Sequence, residues 1–125
     1  MMGSYNQHQT LLKNIKVAVQ KRFVKVRLFD QHVGLFFKTS ILREKNDPMK
    51  HAIRIGTVGM PDIMGFICNK NGLAIFLGIE VKSGNARQTK EQKNFMEMVR
   101  SMGGVYIVGR SKEQVIDELE KAGFE

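Results

Sequence analysis

The sequence has few of the features that mark secreted or membrane-bound proteins. Its single cysteine, Cys68, excludes a disulfide within the chain, so we expect a reducing, cytoplasmic setting. No apolar run approaches the roughly 20 residues of a membrane-spanning helix, and the first residues lack the basic-then-apolar order of a secretion signal. We interpret the 125 residues as a single domain, 1–125, with a core that needs no cross-links and no membrane partner.

Acidic residues are also in short supply. Twelve Asp and Glu stand against twenty Lys and Arg, which gives a net charge of +8. Such an excess indicates a polyanionic partner, usually nucleic acid, although it can also serve only solubility. The candidate DNA contacts are Lys13, Lys16, Arg87 and Lys90. For Lys13 and Lys16 the alternative is a solvated helix face.

Hydrophobic periodicity predicts an α/β fold. Apolar residues at three- and four-residue steps predict a helix over residues 6–25, and alternating or continuous apolar runs predict strands. The expected elements that follow are strands over 26–29 and 35–39, a loop over 43–59, a hairpin over 59–84, a helix over 89–102, a strand over 105–108 and a last helix over 111–123. The strand, helix and strand of residues 73–109 form a βαβ unit with parallel strands. The architecture is therefore a mixed β-sheet flanked by helices, roughly αβββαβα.

The hairpin has a register that can be deduced from its turn. Lys70-Asn71-Gly72 suits a three-residue loop with glycine in the left-handed position. Counting back from that loop places Asp62 opposite Glu80. Directly opposed residues share a face, with Cβ atoms about 4.5 to 5.5 Å apart, and Lys82 lies two residues further along the same face.

Asp62, Glu80 and Lys82 would then form one cluster at the end of the sheet. Two carboxylates this close repel each other unless a cation lies between them, and hard oxygen ligands suit Mg²⁺ or Mn²⁺. Such an ion polarises a phosphoryl oxygen and acidifies a bound water, while Lys82 would orient that water or stabilise charge on the phosphate. This is equipment for phosphodiester hydrolysis. The alternative is a surface salt bridge, which contributes little to stability.

Gln92 has two interpretations. Thr89-Lys90-Glu91-Gln92 has the form of a helix capping box, which by itself accounts for the glutamine. Gln92 also heads the apolar stripe that faces the sheet, which would direct its amide toward Glu80 and Lys82. In that position it would bond a water or orient the lysine.

Together these motifs resemble the PD-(D/E)xK nucleases, and among them the VRR-NUC domain. The residues that carry the resemblance are Gly59-Met60-Pro61-Asp62, Glu80-Val81-Lys82-Ser83, Gln92 with Phe95, and the Gly103-Gly104 pair, in that order. The likeness runs over residues 59–123, with a motif-bearing core at 59–110. It implies a restriction-endonuclease-like fold and metal-dependent DNA endonuclease activity. Short stand-alone members, often phage-encoded and then active in the bacterial host cytoplasm, resemble homodimers that cut branched DNA such as Holliday junctions.

The resemblance also implies roles for single residues. Asp62 and Glu80 would hold Mg²⁺ or Mn²⁺ together with the backbone carbonyl of Val81, and Lys82 and Gln92 would be catalytic. The family usually has a further glutamate on its first helix, whereas this chain offers only Gln7, His8 and Gln9 there. A second hypothesis follows from that departure: a DNA-binding module that keeps the fold without turnover.

Overall fold

The computed structural model describes residues 4–30, 34–37, 52–55 and 58–125. This part of the chain contains three helices and six strands. In order they are α1 (Ser4–Arg22), β1 (Val26–Asp30), β2 (Gly34–Phe37), β3 (Ala52–Ile55), β4 (Ile63–Cys68), β5 (Ala74–Val81), α2 (Lys90–Ser101), β6 (Val105–Gly109) and α3 (Lys112–Lys121). None of these helices is long and apolar enough to cross a membrane.

The main sheet has four strands in the order β1-β4-β5-β6. β4 and β5 form the expected antiparallel hairpin in the expected register, with Phe66 opposite Phe76 and Cys68 opposite Ala74. Gly72 in the connecting loop has φ 81°, the left-handed conformation that this turn requires. β6 pairs parallel to β5, so the predicted βαβ unit is confirmed.

The core lies between the main sheet and the helices α1 and α3. One stripe of α1 is buried there, because Ile15 and Val19 are one helical turn apart and face the sheet. Leu77 and Ile79 on β5, like Val115 and Leu119 on α3, are completely buried in the same cluster. The opposite face carries α2, where the Phe95 ring contacts the ring of Tyr106 on β6. The mixed sheet with helices on both faces confirms the predicted α/β, restriction-endonuclease-like fold.

Several element predictions were wrong in detail. α1 ends at Arg22 rather than at residue 25, and β3 lies inside the segment predicted to be a loop. β2 and β3 form a separate two-stranded sheet, and β2 begins at Gly34, one residue before the predicted start of the second strand. The element order is therefore αβββββαβα. Residues 38–39 of the predicted second strand lie outside the described residues.

Candidate active site at the end of β5

The hairpin ladder stops where β5 reaches Val81. Asn69 donates its N–H to Leu73, and hydrogen-bonded pairs recur every second residue, so the next such pair beyond β4 would join Val81 to Pro61. Proline has no N–H to donate. The Val81 carbonyl is therefore left without a hydrogen-bond partner on β4. The Val81 N–H donates instead to Oδ2 of Asp62, at 2.7 Å.

Glu80 is held deep in the structure on the α2 side of the sheet. It is 1% exposed, and among the residues that the structure describes it is the one charged residue that is buried. Its Oε1 accepts hydrogen bonds from the hydroxyl of Tyr106 at 2.7 Å and from Nε2 of Gln88 at 3.2 Å. Its Oε2 has no hydrogen-bond partner. A buried carboxylate oxygen without a donor is costly unless a cation reaches it.

Lys82 lies beside that oxygen. Its Nζ is 3.7 Å from Oε2 of Glu80, and its side chain is 15% exposed. The cluster is therefore not the surface salt bridge that the sequence left as an alternative. The backbone N–H of Lys82 bonds to the carbonyl of Gly109 on β6, which fixes the point from which the side chain starts.

His8 is a site residue that sequence reasoning missed. Its Nε2 is 3.1 Å from the carbonyl oxygen of Val81 and 3.6 Å from Oδ2 of Asp62. The three histidines of the sequence show no ligand spacing to one another and so do not indicate a histidine site. The signal lay in helical periodicity: residue 8 stands seven and eleven residues before Ile15 and Val19, on the stripe that faces the sheet.

Gln92 forms the capping box and Gln88 reaches the site. The Gln92 side chain accepts the backbone N–H of Thr89 at 2.8 Å, and the Thr89 hydroxyl accepts the backbone N–H of Gln92 at 3.1 Å. The amide that contacts Glu80 belongs to Gln88, whose Nε2 also lies 3.6 Å from the sulfur of Met96. A catalytic role for Gln92 stays a prediction.

Tyr106 acts as a permanent hydrogen-bond donor to Glu80. Burial, then the hydrogen bond to Glu80 and its charge, raise the pKa of Tyr106 far above its ordinary value of 10.0, and Asp62 adds to this rise. Arg100 opposes it weakly. The phenol therefore stays neutral at any physiological pH, so Oε1 of Glu80 always has its donor.

The loop between β5 and α2 is tied down by Arg110. Its guanidinium donates to the carbonyls of Gly84 at 3.1 Å and Ala86 at 2.8 Å. This loop carries Gln88 to Glu80 and leaves Arg87 exposed immediately beside it. Arg110 therefore fixes the position of this loop beside Glu80.

The proposed DNA contacts differ in position. Arg87 and Lys90 are exposed and flank Gln88 and the start of α2, close to Glu80. Lys13 is exposed on α1. Lys16 pairs with Asp30, with 3.1 Å between Nζ and Oδ1, so part of its charge is already neutralised.

The donor set fits a hard divalent cation. Asp62 supplies a carboxylate, Val81 a carbonyl without a ladder partner, and Glu80 an oxygen that has no hydrogen bond. Oxygen donors of this kind are what Mg²⁺ and Mn²⁺ bind. In the described residues, no three His, Cys, Asp or Glu side chains converge as a ready-made metal centre, so the backbone carbonyl is needed to complete the set.

Comparison with protein families agrees with this geometry. The sequence model of the family described as the VRR-NUC domain matches residues 7–113. Comparison with curated proteins and with solved structures gives no match. The matched range begins in α1 and includes His8, Asp62, Glu80 and Lys82, and it spans most of the chain. The chain therefore belongs to the VRR-NUC family of nuclease domains.

Proposed function

We propose that the protein is a metal-dependent DNA endonuclease of the PD-(D/E)xK type that hydrolyses phosphodiester bonds with Mg²⁺ or Mn²⁺. The observation that carries the proposal is Oε2 of Glu80, buried without a hydrogen bond and 3.7 Å from the ammonium of Lys82. A structural carboxylate at 1% exposure gains nothing from an unbonded oxygen, whereas a ligand oxygen must be kept free.

Asp62, Glu80 and the carbonyl of Val81 would hold the cation. When bound, it supplies positive charge beside the scissile phosphate and lowers the pKa of a water molecule. Hydrolysis joins the water oxygen to phosphorus while the bond to one sugar oxygen breaks. The water gives up one proton to solvent, and the leaving sugar oxygen takes one up from solvent, so the protons balance. Lys82 orients the attacking water or donates to phosphate oxygens as their negative charge grows. Tyr106 and Gln88 hold Glu80 so that its other oxygen stays available.

The alternative is a DNA-binding module with weak or no turnover. Two observations favour it: α1 has no acidic residue in its first turn, and no three-side-chain metal centre exists in the described part of the chain. Calorimetry separates the two hypotheses. The enzyme should bind Mn²⁺ or Mg²⁺ and lose most of that affinity in Asp62→Asn, whereas the module should bind neither ion and still bind DNA with a steep salt dependence.

We also propose that the substrate is branched DNA and that the active form is a homodimer, as the resemblance implies. Phe29 and Phe66 support a protein contact, because each is 51% exposed on the sheet face opposite α1. Two sites related by a two-fold axis would cut opposing strands of a four-way junction.

The proposed substrate and assembly have one joint test. A labelled four-way junction and a linear duplex of matched sequence are incubated with the protein in Mn²⁺, Mg²⁺ or EDTA, and its mass is measured by light scattering. We expect the protein to be a dimer that nicks the junction when metal is present and leaves the linear duplex uncut. Equal cutting of both DNAs would overturn the junction preference, and a monomer that cuts the junction would overturn the dimer.

A further inference from the structure

His8 lies where a ligand on the first helix would have to lie. It heads the stripe of α1 that continues through the buried residues Ile15 and Val19, so packing of the helix on the sheet carries the imidazole to the end of β5. Its side chain is 29% exposed. The ring is thus held between protein and solvent, at the mouth of the site.

The two neighbours of the imidazole are two of the groups that would hold the cation. Nε2 is 3.1 Å from the Val81 carbonyl oxygen and 3.6 Å from Oδ2 of Asp62. Neighbouring ligands of an octahedral ion with bonds of about 2.1 Å lie about 3.0 Å apart. The separation of Nε2 from the carbonyl therefore matches one edge of an octahedron. Oδ2 of Asp62 lies about 0.6 Å beyond that spacing, and the side chains of His8, Asp62 and Glu80 do not converge as they stand, so they would have to close on the ion when it binds.

We propose that His8 is a ligand of the divalent cation, in the position where related nucleases carry a glutamate, and that it makes the site prefer Mn²⁺ to Mg²⁺. This inference rests on the proposed function. The neutral imidazole of the ligating form has its proton on Nδ1 and presents the Nε2 lone pair to the ion. In the metal-free protein Nε2 instead carries the proton and donates to the carbonyl of Val81.

The preference follows from ligand chemistry. Mg²⁺ takes oxygen ligands almost exclusively, whereas affinity for an imidazole nitrogen is greater among the transition metals. Because His8 is neutral where related nucleases carry a glutamate, the site keeps two carboxylates, Asp62 and Glu80. One divalent ion balances their combined charge. One ion per chain is therefore expected.

The test uses Mn²⁺ alone, without DNA. Electron spin-echo modulation of Mn²⁺ bound to the full chain should show a directly bonded nitrogen, and this signal should vanish in His8→Ala. The matched control replaces the other two histidines, His32→Ala with His51→Ala, and should retain the signal. Calorimetry should give one Mn²⁺ per chain, bound at least about tenfold more tightly than Mg²⁺, and His8→Glu should reduce that ratio.

The outcomes separate this inference from the proposed function. Mn²⁺ that binds, is lost in Asp62→Asn, and shows no nitrogen signal would overturn the role of His8 and leave the metal site standing. Unchanged Mn²⁺ and Mg²⁺ affinities in His8→Ala would do the same. Absence of any Mn²⁺ binding would overturn both. Circular dichroism of each variant checks that it folds.

Discussion

The hydroxyl of Tyr106 lies 2.7 Å from Oε1 of Glu80, one strand away on the same face of the sheet. Tyr106 is 2% exposed and Glu80 1%, so neither group exchanges this bond for one with water. The bond occupies one carboxylate oxygen and leaves the other, Oε2, without a donor. A tyrosine on the neighbouring strand thus decides which oxygen of Glu80 is left free.

Tyr106 should fail to ionise in the folded protein near pH 10. Burial and Glu80 raise its pKa, so the stability that this bond supplies is complete below the unfolded value of about 10 and is lost as pH rises toward the folded value. In Tyr5→Phe, Tyr106 is the remaining tyrosine. Its ultraviolet tyrosinate absorbance should appear only when circular dichroism reports alkaline unfolding. Ionisation near pH 10 with the fold intact would contradict this.

Glu80→Gln should remove the response to metal without harming the fold. In EDTA the variant should stay within about 1 kcal/mol of the natural protein, because removing a buried charge with an unbonded oxygen offsets the loss of the ion pair with Lys82. Only a 3.7 Å contact with Lys82 is lost, and that lysine reaches solvent. Mn²⁺ at 100 times its Kd should stabilise the natural protein by about 2.7 kcal/mol and leave Glu80→Gln unchanged. Equal stabilisation of both proteins, measured by thermal unfolding, would exclude Glu80 as a ligand.

Gln92 can be tested against Thr89, because the two residues are the two halves of one capping box. Thr89→Ala and Gln92→Ala should each lower the free energy of unfolding by about 0.5–2 kcal/mol. If Gln92 also acts on the substrate or on Lys82, its variant should lose cleavage rate at saturating DNA while Thr89→Ala keeps it. Equal rates in the two variants would reduce Gln92 to its structural role.

The basic residues near the site should carry the salt dependence of DNA binding. Arg87→Gln and Lys90→Gln should each lower the slope of log affinity against log salt by about 0.9. Lys16→Gln should lower it less, because Lys16 already pairs with Asp30. Lys70→Gln is the matched control: Lys70 lies in the hairpin loop, at the other end of β5 and about 20–25 Å from Val81. A fall in slope for Lys70 equal to that for Arg87 would indicate diffuse charge rather than a DNA-binding edge.

The sequence was a good guide wherever one local rule determined the structure. The glycine of Lys70-Asn71-Gly72 determines the turn, and the two-residue period of strands then determines which residues oppose each other. The capping box at Thr89 is equally local. The register of the hairpin up to the pairing of Ile63 with Ile79 could therefore be deduced before any coordinates.

What could not be deduced depends on packing between distant segments. His8 reaches Val81 across 73 residues of sequence, and this needs the position of α1 on the sheet, which periodicity does not give. Gln88, and not Gln92, contacts Glu80, because Arg110 holds the loop that carries Gln88. β3 could not be predicted because its four residues, Ala52–Ile55, include Arg54 and are bounded by polar and glycine residues that are typical of loops.

The central claim is tested most directly by single-turnover cleavage of a four-way junction in Mn²⁺, comparing the natural protein with Lys82→Ala. Lys82 is 15% exposed and lies outside the apolar core cluster, so the variant should fold, which circular dichroism checks, and should bind the junction with nearly the same Kd. Its cleavage rate should fall by about 10²–10³, and EDTA should stop the natural protein. Full cleavage by Lys82→Ala, or cleavage that persists in EDTA, would contradict a metal-dependent nuclease built on Asp62, Glu80 and Lys82.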